Sequence, residues 1–82
     1  MSELQRAAIA IPANLAEGHE RRSRGDFRRF VSVARGSLAE VETHLEMVGR
    51  LGFRTDESTQ RIRLLAAEVG RMLSALLGRL KS

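Results

Sequence analysis

The chain has 82 residues, 43% of them hydrophobic, with 14 Lys and Arg against 10 Asp and Glu for a formal net charge of +4. No cysteine and only two histidines leave neither a disulfide staple nor the usual ligands of a structural zinc site, so stability must come from packed helices, self-association or both. Plentiful periodic apolar residues exclude disorder. No apolar run reaches the roughly 18–20 residues of a bilayer span, and the first residues lack the basic-then-apolar build of a signal peptide. One cytoplasmic domain over residues 1–82, with no membrane partner, is the expectation.

The first predicted helix covers residues 2–18. Ser2 caps it and Gln5, three residues on, completes a capping box. Leu4, Ala8, Ile11 and Leu15 alternate at spacings of four and three and share one face. Pro12 removes a backbone donor and is expected to bend the helix, and Gly18 is expected to end it.

The second helix is predicted over residues 23–51, with Asp26 favourable in the first turn. Phe27, Val31, Ala34, Leu38, Val41, Leu45 and Val48 form an unbroken heptad seam. A second row beside it holds Phe30, Ser37, His44 and Leu51, so the apolar face is wide enough for more than one neighbour. Gly36 and Gly49 each cost about 1 kcal/mol relative to Ala in a helix interior, and close helix–helix approach is expected there. The third helix, over residues 55–80, is capped by Thr55. Ile62, Leu65, Ala66, Val69, Met72, Leu73, Leu76, Leu77 and Leu80 cover over half of its circumference. Leu77 and Leu80 are expected to be exposed in a lone chain. The fold class is therefore all-α, an antiparallel up-down bundle of three helices completed by oligomerisation.

Two strings, Ile-Pro-Ala-Asn-Leu-Ala-Glu-Gly at 11–18 and Gly-Ser-Leu-Ala-Glu-Val-Glu-Thr-His-Leu at 36–45, are joined by Arg21-Arg22-Ser23 and Phe27…Phe30. Over about Leu4–Phe53 the chain resembles the four helix bundle protein family, also called 23S rRNA-intervening-sequence proteins, to which the accessory variability protein of diversity-generating retroelements is related. The resemblance implies a helix bundle that assembles as a ring, commonly a homopentamer, without an established catalytic activity. Family members usually carry an additional amphipathic helix before the Ile-Pro-Ala-Asn helix. Its absence here implies an apolar groove that a neighbouring chain can fill.

The chemistry-bearing residues point away from catalysis. Arg21, Arg22, Arg24, Arg28 and Arg29 crowd into ten residues with only Glu20 and Asp26 to oppose them. Some of them stand at a helix N-terminus, where free N–H groups favour anions. Arg pairs bidentately with phosphate, so the corner suits an RNA or DNA backbone, or a nucleic-acid-handling protein. The competing reading is a solvated turn paired to Glu17, Glu20 and Asp26. No aromatic side chain outside the expected core is left to stack on bases, so binding would be sequence-independent and salt-sensitive.

Asn14, Glu17, Glu40 and Glu42 read as a structural polar motif, with Glu17 pairing to Arg21 one turn on and Asn14 satisfying backbone groups loosened by Pro12. Glu40 and His44 stand four apart with no second matching pair, which is not the paired Glu-x-x-His set of di-iron bundles. No metal, cofactor or catalytic residue is expected. His44 lies on the apolar second row and His19 in an exposed connector. Met47 and Met72 read as packing or interface residues. The expected function is a non-enzymatic homo-oligomeric module that binds nucleic-acid backbone through the arginine corner. The alternative is a structural or protein-binding module with no nucleic-acid role.

Overall fold

A computed structural model describes residues 2–51 and, the Ser58 side chain apart, 57–81. Those residues form three helices and no strand: α1 (Glu3–Glu20), α2 (Arg24–Arg50) and α3 (Glu57–Leu80). The expected cap Thr55 lies outside the described residues.

The start of α1 follows from its sequence. Ser2 N–H donates to Gln5 Oε1 at 3.0 Å and Gln5 N–H donates to Ser2 Oγ at 3.1 Å, the reciprocal pair of a capping box. Its end does not fall at Gly18. The helix runs two residues further, to Glu20, and the residue with positive φ is Arg22, at 60°. Gly18 is buried inside the helix because α1 and α2 meet there. A β-carbon at Gly18 would lie 2.7 Å from Phe30 Cβ and 3.1 Å from Phe27 Cδ1. The missing side chain admits two aromatic residues rather than a left-handed turn, and His19 consequently belongs to the last turn of α1. Pro12 does not end the helix either. Asn14 donates to the Ala10 carbonyl at 2.8 Å, not to the Ala8 carbonyl whose i+4 partner Pro12 removes.

α2 starts at the Ser23 cap, whose hydroxyl accepts from Asp26 N–H at 3.1 Å. Its heptad seam is the core. Val31 and Ala34 are fully buried, with Leu38, Val41 and Leu45 nearly so, and Phe27 and Val48 are half-buried at its ends. α1 packs through Ala7, Leu4 and Ile11 on Val41 and Leu45. Gly18, near its other end, meets Phe30, so the two helices run in opposite directions. α3 pairs with α2 in the same sense: Arg63 donates to the Leu45 carbonyl and Arg24 to the Arg79 carbonyl. A single guanidinium thus ties α3 to α2 near each end.

Ala66 and Leu73 are the buried residues of α3, against Val31, Ala34 and Leu38. Leu77 and Leu80 are half-buried and pack on that cluster, contrary to the expected exposure, in the turn where Arg24 also reaches the Arg79 carbonyl. The large apolar residues left open on α3 are Ile62 (48% exposed), Leu65 (54%) and Met72 (62%), together with Leu64 (71%), which the predicted apolar stripe did not include. Leu65 and Met72 continue the flank of the half-buried Val69 and Leu76. α1 and α3 do not close over α2: among the described residues none of their Cα atoms approach within 8 Å. The Cα envelope, 44 × 26 × 17 Å, is a slab.

The glycines of α2 differ from expectation. A β-carbon at Gly36 would meet nothing within 4 Å, and one at Gly49 would meet only the Arg63 Nη2 end at 3.0 Å. Close approach to carbon atoms of the facing helix occurs instead at Gly18 and at Gly70, where a β-carbon would lie 3.3 Å from Leu38 Cδ2. Gly36→Ala is therefore expected to stabilise the single chain by about 1 kcal/mol through helix propensity alone, read as a higher melting temperature at fixed protein concentration. A loss of stability would place a contact from another molecule over Gly36.

Candidate nucleic-acid interface

The arginine corner is assembled where α1 ends, α2 begins and the last turn of α3 arrives. Arg22, Arg24 and His19 line a recess of about 460 Å³ there, together with Ser23, Phe27 and Leu80. Leu80 shows that the corner reaches across to α3, which the α1–α2 connector alone does not foretell.

The five arginines are in different states. Arg21 donates from Nε to Glu17 Oε1 at 3.0 Å, its Nη2 is 2.9 Å from the same carboxylate oxygen, and its guanidinium carbon lies 5.3 Å from the Phe30 ring centroid. Arg29 approaches Asp26 only to 4.0 Å and sits 4.8 Å from the same ring. One half-buried phenyl ring therefore gathers two cations, within the roughly 6 Å range of attraction by the ring quadrupole. Arg24 is committed to the Arg79 carbonyl at 2.6 Å, where it neutralises the negative end of α3. The Arg22 and Arg28 side chains are exposed and make no ion pair or hydrogen bond with another described residue. Exposed pairs such as Glu17–Arg21 contribute roughly 0–1 kcal/mol, so they exchange readily for a phosphate. The cations most available to a ligand are Arg22 and Arg28.

The polar motif residues are not brought together. Glu17 pairs with Arg21 and Asn14 bonds the α1 backbone. Glu40 lines a recess beside α1 with Glu3, Arg6 and Ser37. Glu42 lines a separate groove against α3. Neither Glu40 nor Glu42 makes an ion pair with a described residue. His44 is half-buried and Met47 and Met72 are exposed, which puts both methionines outside the core. Among the described residues no three His, Cys, Asp or Glu side chains converge on a point that could hold a metal ion, and no helix is long and apolar enough to cross a membrane.

The corner, the buried Gly18–Phe30 contact and the seam of α2 are built by the Ile11–Gly18 string and the residues that follow it, and comparison with known families converges on the same stretch. The model of the 23S rRNA-intervening sequence protein family matches residues 1–75. The chain belongs to this family. Membership extends the likeness beyond the two strings, through α3 as far as Ala75. Comparison with curated proteins finds no match.

Arg35 and Arg71 escape a reading of the sequence that looks for clustered charge. They are 36 residues apart in the chain yet line one groove between α2 and α3. Half of the signal is visible, since Arg24, Arg28 and Arg35 recur at spacings of four and seven on one face of α2. The other half depends on the register of α3.

Proposed function

We propose that this member of the 23S rRNA-intervening sequence protein family is a non-enzymatic cytoplasmic module that self-associates and presents its arginine corner to the backbone of RNA or DNA. Its helices form an up-down bundle whose open side is covered by further copies of the chain, in the pentameric ring that the family resemblance implies. The observation that carries the proposal is the α3 flank. Ile62, Leu65 and Met72 are each about half exposed or more, on a flank shared with half-buried Val69 and Leu76, and among the described residues no α1 Cα comes within 8 Å of an α3 Cα. A second copy is the economical cover, because the required surface is then encoded in the same chain.

In a ring the corner repeats around one rim and the fields of its cations add. Binding of duplex RNA or DNA, followed by fluorescence anisotropy at low salt, is expected to weaken steeply with salt as counterions are released. The Arg22→Gln/Arg28→Gln pair is expected to weaken it by about tenfold, each lost phosphate contact lowering the salt slope by about one. Full retention of binding after neutralising Arg21, Arg22, Arg24, Arg28 and Arg29 together would remove the corner from the proposal. A protein-binding role without nucleic acid draws on a different observation, the exposed Val33, Met47 and Leu51 of α2. It becomes the better reading if neither polymer binds.

A further inference from the structure

The second basic surface lies away from the corner. α2 and α3 enclose a groove of about 590 Å³ whose walls carry Arg35 on one side and Arg71 and Ser74 on the other. Its α3 wall is built from small residues, Ala67, Gly70 and Ser74, at spacings of three and four. Neither guanidinium makes an ion pair or hydrogen bond with another described residue. Glu42, at the same groove, is farther than 4.0 Å from both. The groove thus carries two guanidiniums against one carboxylate, with no ion pair among the three.

The α2 face that carries Arg35 at the groove also carries Arg28 and Arg24 toward the corner. Arg28 is seven residues before Arg35, two turns along the same face of α2, or about 10 Å at 1.5 Å per residue. Arg24 is a further turn on and touches the end of α3. Arg22 lines the recess that Leu80 closes. Carbonyl-bonded Arg24 and the unpaired Arg28 and Arg35 therefore form a line on one face of α2, from the corner to mid-groove. A linear array of guanidiniums suits a linear polyanion, since each planar fork can pair with a successive phosphate. An acidic protein segment fits less well, because the Ala, Gly and Ser of the α3 wall offer no pocket for the apolar anchors that carry protein–protein affinity.

We propose that a phosphodiester backbone runs along this face of α2, past Arg28 and Arg35, and is clasped across the α2–α3 groove by Arg71 and Ser74. The proposal rests on the nucleic-acid reading above and adds to it a second, separately located contact. Self-association through the Leu65–Met72 flank leaves the groove free, because Leu65 and Met72 stand on the side of α3 opposite Ala67 and Ser74.

The test is an anisotropy titration of the full chain with a short RNA duplex and with a DNA duplex of the same sequence, over a series of salt concentrations. Arg35→Gln/Arg71→Gln is expected to weaken binding about tenfold or more and to lower the salt slope by about two. Arg50→Gln/Arg61→Gln removes the same charge from residues paired to Glu46 and Glu57, and is expected to change affinity by less than about threefold. Glu42→Gln is expected to tighten binding a few-fold, a gain that misfolding cannot produce. Unequal affinity for the two polymers, lost with Arg35 and Arg71, would assign the backbone preferred. Wild-type binding with the Arg35/Arg71 variant within about threefold of it and an unchanged slope would overturn the groove. Absence of wild-type binding to both polymers would instead overturn the nucleic-acid reading from which it starts.

Discussion

Gly18→Leu is expected to lower stability by about 2–3 kcal/mol, the upper range for overpacking a closed contact. The alanine β-carbon alone would already sit 2.7 Å from Phe30 Cβ, an atom fixed to the α2 backbone that no rotamer change can move. The helices must separate locally, and with them goes the position of Phe30 beneath Arg21 and Arg29. Helix propensity favours Leu over Gly by almost 1 kcal/mol, which this figure already includes. At 4–8 °C per kcal/mol for a domain of this size, the melting temperature should fall by roughly 8–24 °C. Because association adds to apparent stability, variant and parent must be melted at one protein concentration. An unchanged or raised melting temperature would mean that Gly18 ends α1 after all and that the close approach to Phe30 is absent.

Leu65→Glu/Met72→Glu is expected to leave the fold intact and abolish self-association. Both side chains are more than half exposed in the single chain, so the far-ultraviolet circular dichroism and the unfolding transition of the subunit should survive. At an interface each would bury a side chain whose removal from water contributes about 1.5–3 kcal/mol. Two unpaired carboxylates in its place cost further desolvation. A dissociation constant raised by a factor of about 100 or more follows, which sedimentation velocity reads as a shift to the mass of one chain. An unchanged sedimentation coefficient would clear this flank of any part in assembly.

Helix type and core were legible because they depend on local periodicity. The seam from Phe27 to Val48 is a heptad pattern, and its central members are the buried residues. Ser2 and Gln5 are capping chemistry read directly from residue type, as is Asp26 in the first turn of α2, whereas the Ser23 cap emerges only from the structure. What escaped depends on partners distant in the chain. Gly18 looks like a stop because glycine tolerates a left-handed turn, yet the same missing β-carbon also admits Phe30, and only the pairing of α1 with α2 decides between them. Leu77 and Leu80 look exposed until the end of α3 is seen packed on the Val31–Ala34–Leu38 side of α2. The five corner arginines were visible as a cluster. That Arg21 is bound to Glu17 and Arg24 to a carbonyl, leaving Arg22 and Arg28 open, and that Arg35 faces Arg71, requires the register of three helices.

Multi-angle light scattering of the unmodified chain across a dilution series addresses self-association most directly. A particle mass at a whole multiple of 9.1 kDa, falling toward one chain only on strong dilution or in Leu65→Glu/Met72→Glu, is the predicted result. A mass of one chain at every concentration, with a cooperative melt, would contradict it.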